Sequence, residues 1–156
     1  MKNEIKKDTR RADYLSYDQI ATRVEAFVSD VKTKDFDGIL ILLRGGSFAG
    51  MHLSFLTGLN VYFVEYHRPT RKVSWKGDPP PLYSNVLVVE DFAGSGTTLQ
   101  DTLTFLEQKY TSSTFVVCKD RLSRLQDPTY CCFELEDEEK RFIVPWEKHE
   151  YENNVC

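Results

Sequence analysis

The chain has 156 residues, of which 41% are apolar and 28% are charged, and its formal net charge is −4 at pH 7. This length allows one domain with a single core, and the acidic balance argues against nonspecific binding to nucleic acid or to an anionic membrane, since both need a cationic surface. No apolar run approaches the about eighteen residues of a membrane span and the charged N-terminus is unlike a secretory signal, so we expect a cytoplasmic protein.

The four cysteines, Cys118, Cys131, Cys132 and Cys156, form no C-x-x-C pair and have no ligand-like spacing to a histidine. Cys118 lies in an apolar run typical of a strand, where a thiol behaves as a small hydrophobic side chain. We therefore expect neither a structural metal nor a redox site.

The N-terminal region predicts a polar leader and then a helix. The leader mixes basic and acidic residues and has little apolar surface, as is typical of a loose segment. Ser16 and Gln19 form a capping-box pattern, and apolar residues then recur at helical spacing up to about Lys34. We divide the chain into a leader at residues 1–13, a domain at residues 14–150 and a tail at residues 151–156.

A first buried strand is predicted at residues 39–43, which are all aliphatic. This run leads directly into Arg44, Gly45 and Gly46, and a helical segment follows that ends at Gly58, a typical C-terminal cap. Taken alone, the two glycines could form a plain turn.

A further strand is predicted at residues 61–66, and residues 67–83 show no periodicity. Such a long stretch in a compact domain is usually functional or disordered. A charge-rich, solvated loop explains its composition almost as well. Its basic residues are Arg68, Arg71, Lys72 and Lys76.

The most informative stretch is residues 86–99. Four aliphatic residues predict a strand buried on both faces, and this strand ends on Glu90 and Asp91. A loop of small residues follows, and a helix with apolar residues on one side begins at Thr97. Open backbone amides and a helix N-terminus make an anion cradle, most simply for one phosphate. The cradle residues are Gly94, Ser95, Gly96, Thr97 and Thr98.

The two acids limit which chemical groups of a ligand can lie beside them. They would repel a phosphate, so we expect Glu90 and Asp91 to face vicinal hydroxyls or a hydrated divalent cation. The loop is neither a Walker A motif nor a dinucleotide fingerprint. A ligand with a phosphate, a diol and a metal is a phosphorylated sugar, although a tight turn without a ligand remains the simpler alternative.

The C-terminal third predicts a strand at residues 114–118 that leads into Lys119, and two short strands joined by an acidic hairpin connection at residues 134–139. Strands that alternate with helices predict an α/β domain with a mainly parallel sheet flanked by helices. Arg44, Glu90 and Lys119 each follow a strand, so we expect them at one rim of that sheet.

Residues 86–99 resemble the phosphoribosyl-pyrophosphate (PRPP) motif of type I phosphoribosyltransferases, with a hydrophobic strand, two adjacent acids and a small-residue loop ending in Gly-x-Thr. The resemblance implies that Glu90 and Asp91 bind the ribose hydroxyls and are the residues on which catalysis depends, and that residues 94–98 hold the 5′-phosphate. It also implies that Arg44, Gly45 and Gly46 accept the pyrophosphate, and that Glu90 and Asp91 hold Mg²⁺, directly or through water.

The resemblance extends to the flanking segments. Residues 67–83 lie where the family has a flexible hood that closes on the substrates, with Arg68 and Arg71 as candidate ligands. Lys119 lies where purine-type members place a lysine that donates to a 6-oxopurine, although a lysine after a strand is more often solvent-facing. The ending Pro145-Trp146-Glu147 is similar to the short base-binding segment of small hypoxanthine, guanine and xanthine enzymes, with Phe142 as the stacking aromatic and Trp146 as support.

The sequence departs from purine-type members at Gly94, where they carry an aspartate that takes a proton from the base. Losing one general base typically lowers a rate by about 10²–10⁴-fold, so measurable transfer is still expected. The resemblance implies an enzyme that transfers the phosphoribosyl group of PRPP to a nucleobase, with purines favoured, and releases pyrophosphate. Family members commonly form dimers or tetramers, which implies a homo-oligomer.

Two alternatives remain open. One is a regulatory protein that binds PRPP or a nucleotide on the same fold without catalysis, because fold alone does not separate these functions. The other is a hydrolase or phosphorylase acting on a ribose phosphate. The second is disfavoured because no nucleophile or water-activating base is evident.

Overall fold

The computed structural model describes residues 9–93, 96–120, 127–135 and 139–155. The described residues form five helices and eight strands, which largely alternate along the chain. The elements are β1 (Arg11–Tyr14), α1 (Tyr17–Ala26), α2 (Val28–Thr33), β2 (Gly38–Leu43), α3 (Ser47–Thr57), β3 (Val61–His67), β4 (Lys72–Lys76), β5 (Asn85–Ala93), α4 (Thr97–Leu106), β6 (Thr111–Asp120), β7 (Tyr130–Leu135), β8 (Lys140–Ile143) and α5 (Lys148–Val155).

The main sheet has six strands in the order β4-β3-β2-β5-β6-β7, and β4 is antiparallel to β3 while the other pairs are parallel. The predicted α/β fold with a mainly parallel sheet is therefore confirmed. Because β2 and β5 lie at the centre, their aliphatic side chains alternate between two cores. Ile39 and Ile41 pack on the side of α1 to α3, whereas Leu40 and Leu42 pack on the side of α4.

A second, two-stranded sheet joins the two ends of the domain. β1 pairs in parallel with β8, so residues 11–13 of the predicted leader belong to a strand. The predicted hairpin between the last two strands is wrong, because β7 pairs with β6 and β8 pairs with β1. Local alternation indicates a strand but does not identify its partner.

The stretch at residues 67–83 contains more regular structure than its composition predicts. β4 forms an antiparallel hairpin with β3 at the sheet edge, around a turn at residues 68–71. Val73 is buried, and Trp75 packs against Phe105 and Tyr110 at ring-centroid distances of 5.4 and 5.7 Å. The alternation of polar and apolar residues over Lys72–Lys76 was the missed signal.

The architecture brings two strand-to-helix junctions side by side. β2 and β5 are parallel neighbours, so their carboxyl ends, and the N-termini of α3 and α4, lie at one edge of the sheet. Among the described residues, none of the helices is long and apolar enough to cross a membrane.

Candidate functional site

A cavity of about 470 Å³ opens at the carboxyl ends of β2 and β5. Its walls come from both junctions, from the β3–β4 turn and from the segment after β8, so it collects parts of the chain that are distant in sequence. Among the described residues, those that line it are Tyr17, Leu42, Leu43, Arg44, Gly45, Ser47, Phe48, Tyr66, Arg68, Glu90, Asp91, Thr98, Trp146, Glu147 and Glu150.

The β2–α3 junction packs tightly against β5. A Cβ atom added to Gly45 would overlap the carboxylate of Asp91, and one added to Gly46 would overlap the backbone oxygen of Val89. Both glycines are therefore needed for close approach of the backbone. Arg44 and Gly45 line the cavity, and the peptide bond between Leu43 and Arg44 is cis.

Asp91 is fixed in place by hydrogen bonds. Its Oδ1 accepts from the backbone N–H of Phe92 at 2.7 Å, and its Oδ2 accepts from the indole Nε1–H of Trp146 at 3.0 Å. The side chain is buried, with the residue only 7% exposed, yet it borders the cavity. The carboxylate is thus held in one orientation at the wall.

Glu90 also borders the cavity, and its electrostatic environment differs from that of Asp91. Burial, reinforced by the negative charge of Asp91, raises the pKa of the Glu90 carboxyl to about 8, although the positive charge of Arg68 opposes this. A cation or hydroxyl donors placed between these two carboxyl groups would stabilise their charged forms at this partly buried wall.

The start of α4 completes this edge of the site. Gly94 and Ser95 lie outside the described residues. Gly96 has φ +84°, the left-handed conformation that favours glycine, and it immediately precedes Thr97, the first residue of α4. Of the described cradle residues, Thr98 lines the cavity.

The structure separates the two hood candidates. Arg68 lines the cavity, whereas Arg71 forms an ion pair with Asp101 of α4, with 2.7 Å between Nη2 and Oδ1. These arginines lie at opposite ends of the four-residue turn between β3 and β4.

The three base-binding candidates are also separated. Trp146 lines the cavity and stacks on Phe48 at a centroid distance of 5.7 Å. Phe142 does not line it, because its position in β8 turns the ring into the core against Phe133, 5.9 Å away. Lys119 does not line it either, and its Nζ donates to Asp127 Oδ1 at 2.5 Å, which raises the pKa of Lys119. The interpretation of Phe142 as the stacking aromatic therefore has no support in this geometry.

Sequence reasoning missed several cavity residues. Tyr17 and Phe48 add aromatic walls, and Glu147 and Glu150 add carboxylates; burial and the charge of Asp91 raise the pKa of Glu147. Phe48 could have been found from its place just after the glycine junction, and Glu147 from its place beside Trp146. Nothing in the local pattern distinguishes Tyr17, the first residue of α1.

The described residues contain no group of three or more His, Cys, Asp or Glu side chains that could hold a metal ion. Glu90 and Asp91 form a carboxylate pair, which suits a hydrated divalent cation whose other ligands are water or substrate oxygens. Cys118 and Cys132 are buried thiols whose pKa values are raised by burial, as expected for packing residues.

No protein-family model matches the sequence, and no curated protein sequence matches it. Solved structures do match. A purine phosphoribosyltransferase from Pyrococcus horikoshii superposes with a TM-score of 0.72 at 20% identity, covering 86% of this chain and 93% of that chain. The xanthine-guanine-hypoxanthine phosphoribosyltransferase of Helicobacter pylori superposes with a TM-score of 0.72 at 17% identity, covering 94% of this chain and 99% of that chain.

A hypothetical protein from Neisseria gonorrhoeae with bound ppGpp is similar as well, with a TM-score of 0.70 at 18% identity and coverage of 94% of this chain and 96% of that chain. At these identities the likeness concerns the fold alone. This chain has the fold of the type I phosphoribosyltransferases.

Proposed function

We propose that this chain is a Mg²⁺-dependent phosphoribosyltransferase that couples PRPP to a nucleobase, with purines favoured, and releases pyrophosphate. The observation that carries the proposal is the close packing of Gly45 against Asp91, which joins the glycine junction of β2 to the acidic pair of β5 in one cavity. A sugar with phosphates at both ends needs such a combination of open backbone, cations and carboxylates.

In this proposal the chain's residues act mainly by positioning. Glu90 and Asp91 accept hydrogen bonds from the ribose hydroxyls, and the start of α4 holds the 5′-phosphate with backbone amides. Arg44 and Arg68 offset the charge of the pyrophosphate as it leaves. Mg²⁺ held by Glu90 and Asp91, directly or through water, would add to this charge neutralisation.

The acceptor base is proposed to lie against the aromatic wall formed by Trp146, Phe48 and Tyr17. Stacking on an aromatic face places the attacking nitrogen with little loss of rotamer entropy. Because Gly94 cannot accept a proton, positioning and leaving-group stabilisation must supply most of the rate.

A regulatory nucleotide-binding function is the second candidate. The Neisseria gonorrhoeae protein with bound ppGpp is similar over almost the whole chain, and Gly94 replaces the expected proton acceptor. A protein that binds a nucleotide tightly in the same cavity without turnover would fit this alternative.

One experiment separates the two candidates. The protein is incubated with PRPP, Mg²⁺ and a panel of bases while pyrophosphate release is followed, and calorimetry measures PRPP and nucleotide binding in parallel. Turnover that depends on one base supports the transferase. Tight nucleotide binding without turnover supports the regulatory protein, and neither turnover nor binding refutes both.

A further inference from the structure

We propose that Asp101 is a positioning residue that fastens the β3–β4 turn to α4 and so holds Arg68 over the cavity. This inference rests on the proposed function, since the ligand of Arg68 would be the pyrophosphate group of PRPP. The set of Asp101, Arg71 and Tyr66 is called the latch below.

The latch has well-formed geometry. Asp101 Oδ1 accepts from Arg71 Nη2 at 2.7 Å, and its Oδ2 accepts from Arg71 Nε at 2.9 Å, which is a bidentate pair. The same Oδ2 accepts from the hydroxyl of Tyr66 at 2.5 Å. Hydrogen bonds from Arg71 and then from Tyr66 lower the pKa of Asp101 to about 2, so the carboxylate stays charged at neutral pH.

The latch is connected to the cavity on two sides. Tyr66, in β3, lines the cavity itself. Arg71 ends the turn that begins at Arg68, and its N–H donates to the Arg68 backbone oxygen at 3.2 Å. Fixing Arg71 against α4 therefore restricts where Arg68 can lie.

Arg68 faces the acids of the cavity. Arg68, Glu90 and Glu147 line the same cavity, and the two carboxyls belong to different walls. Burial raises the pKa of both carboxyls, and the positive charge of Arg68 opposes that rise. In this turn, Arg68 therefore lines the cavity, whereas Arg71 belongs to the latch. Arg71 has φ +53°, a conformation that is costly for a residue other than glycine, so the latch contacts must compensate for it.

A purely stabilising role explains the arrangement less well. The Arg71 side chain is 63% exposed and the Asp101 side chain is 17% exposed, so solvent partly screens the ion pair. The helix that carries Asp101 is also the one that begins at the phosphate cradle, so the latch ties the hairpin to that side of the site. Fixing Arg68 before the ligand arrives lowers the entropy lost on binding.

The test compares Asp101→Asn with wild type. We expect about tenfold weaker binding of Mg²⁺-PRPP and of Mg²⁺-pyrophosphate by calorimetry, and a KM for PRPP raised by a similar factor with kcat changed less than about twofold. The matched control is Glu65→Gln, which removes an exposed acid that pairs with Lys76 at 3.7 Å on the same hairpin. This control should leave binding unchanged.

A double-mutant cycle tests whether Asp101 acts through Arg68. In an Arg68→Ala background, adding Asp101→Asn should weaken PRPP binding by less than about twofold. A full tenfold loss in that background would overturn the proposal, because Asp101 would then act by another route.

Hydrogen exchange of the amides around residues 68–71 reports on the latch without any ligand. Exchange should be faster in Asp101→Asn than in wild type and in Glu65→Gln, and equal rates would overturn the latch. A wild-type protein that binds neither PRPP nor pyrophosphate refutes the proposed function whatever the exchange pattern. Normal wild-type binding that Asp101→Asn leaves intact refutes only the latch.

Discussion

The β2–α3 and β5–α4 junctions have the same local plan, an aliphatic strand that runs through glycine into a helix, yet their glycines serve different purposes. Gly45 is required because it lies against Asp91, where a side chain has no room. Gly96 has φ +84°, which allows the chain to turn into α4. One glycine provides space and the other provides backbone conformation.

The two junctions also differ in charge. The first carries Arg44, and the second carries Glu90 and Asp91, so together they offer both signs of charge to one ligand. Because Gly45 and Asp91 are in contact, a change at one junction is expected to affect the other. Neighbouring parallel strands thus convert two ordinary turns into one site.

At the β5–α4 junction, the largest loss of ligand binding is expected from the double variant Glu90→Gln and Asp91→Asn. Mg²⁺ in the complex favours the ionised form of both acids, and hydrogen bonds to charged groups contribute about 1.5–3 kcal/mol each, so PRPP binding should weaken by about 10²–10⁴-fold. Calorimetry with Mg²⁺-PRPP measures the loss, and circular dichroism checks the fold. Retained affinity would contradict the assigned role of the two acids.

Gly45→Ala tests whether the first junction acts through the second. The added Cβ must displace the Asp91 carboxylate, which costs about 1–3 kcal/mol in disturbed hydrogen bonds and should weaken PRPP binding by about 10–100-fold. The matched control is Gly58→Ala at the end of α3, where a Cβ meets nothing within 4 Å. That variant should lose stability because its φ is +75°, while PRPP binding stays normal. Equal binding losses would contradict the coupling.

Trp146→Phe tests whether the segment after β8 helps to orient Asp91 at the β5–α4 junction. Phenylalanine keeps an aromatic wall but removes the Nε1–H that donates to Asp91. A lost hydrogen bond to a carboxylate should weaken PRPP binding by about tenfold, with a smaller effect on the KM for the base. Steady-state kinetics with each substrate varied in turn measures this. A change confined to the base would show that the indole N–H does not orient Asp91.

The pH dependence of stability tests the unequal environments of the two acids. Burial, reinforced by the charge of Asp91, raises the folded pKa of Glu90 from the ordinary 4.5 to about 8, so between these pH values the unfolded chain loses a proton that the folded chain keeps. Stability from this group is complete below about pH 4.5 and declines as pH rises towards 8, by less than about 1.4 kcal/mol per pH unit because the side chain is partly exposed. Denaturant unfolding of wild type and Glu90→Gln between pH 6 and 8 measures it, and parallel curves would contradict the shift.

The sequence predicted those features that depend on short-range patterns. Aliphatic runs indicated β2 and β5, and the residues directly after them reached the cavity, as Arg44 and Glu90 do. Trp146 and Glu147, in the predicted base-binding segment, also line the cavity. Lys119 follows the aliphatic run of β6 by the same logic, but it lies within that strand, pairs with Asp127 and does not line the cavity.

Only tertiary structure decided which of several equivalent residues face the cavity. Arg68 and Arg71 lie in one turn, yet Asp101, thirty residues from Arg71, holds one of them away from the cavity. Phe142 and Trp146 lie in one segment, yet the pairing of β8 with β1 directs Phe142 into the core. By itself the sequence determined the strands, the glycine junctions and the acidic pair, because these follow from each residue's own backbone preferences and neighbours. Partners that are distant in the chain decided the rest, because periodicity records which face of an element is buried and not what lies against it.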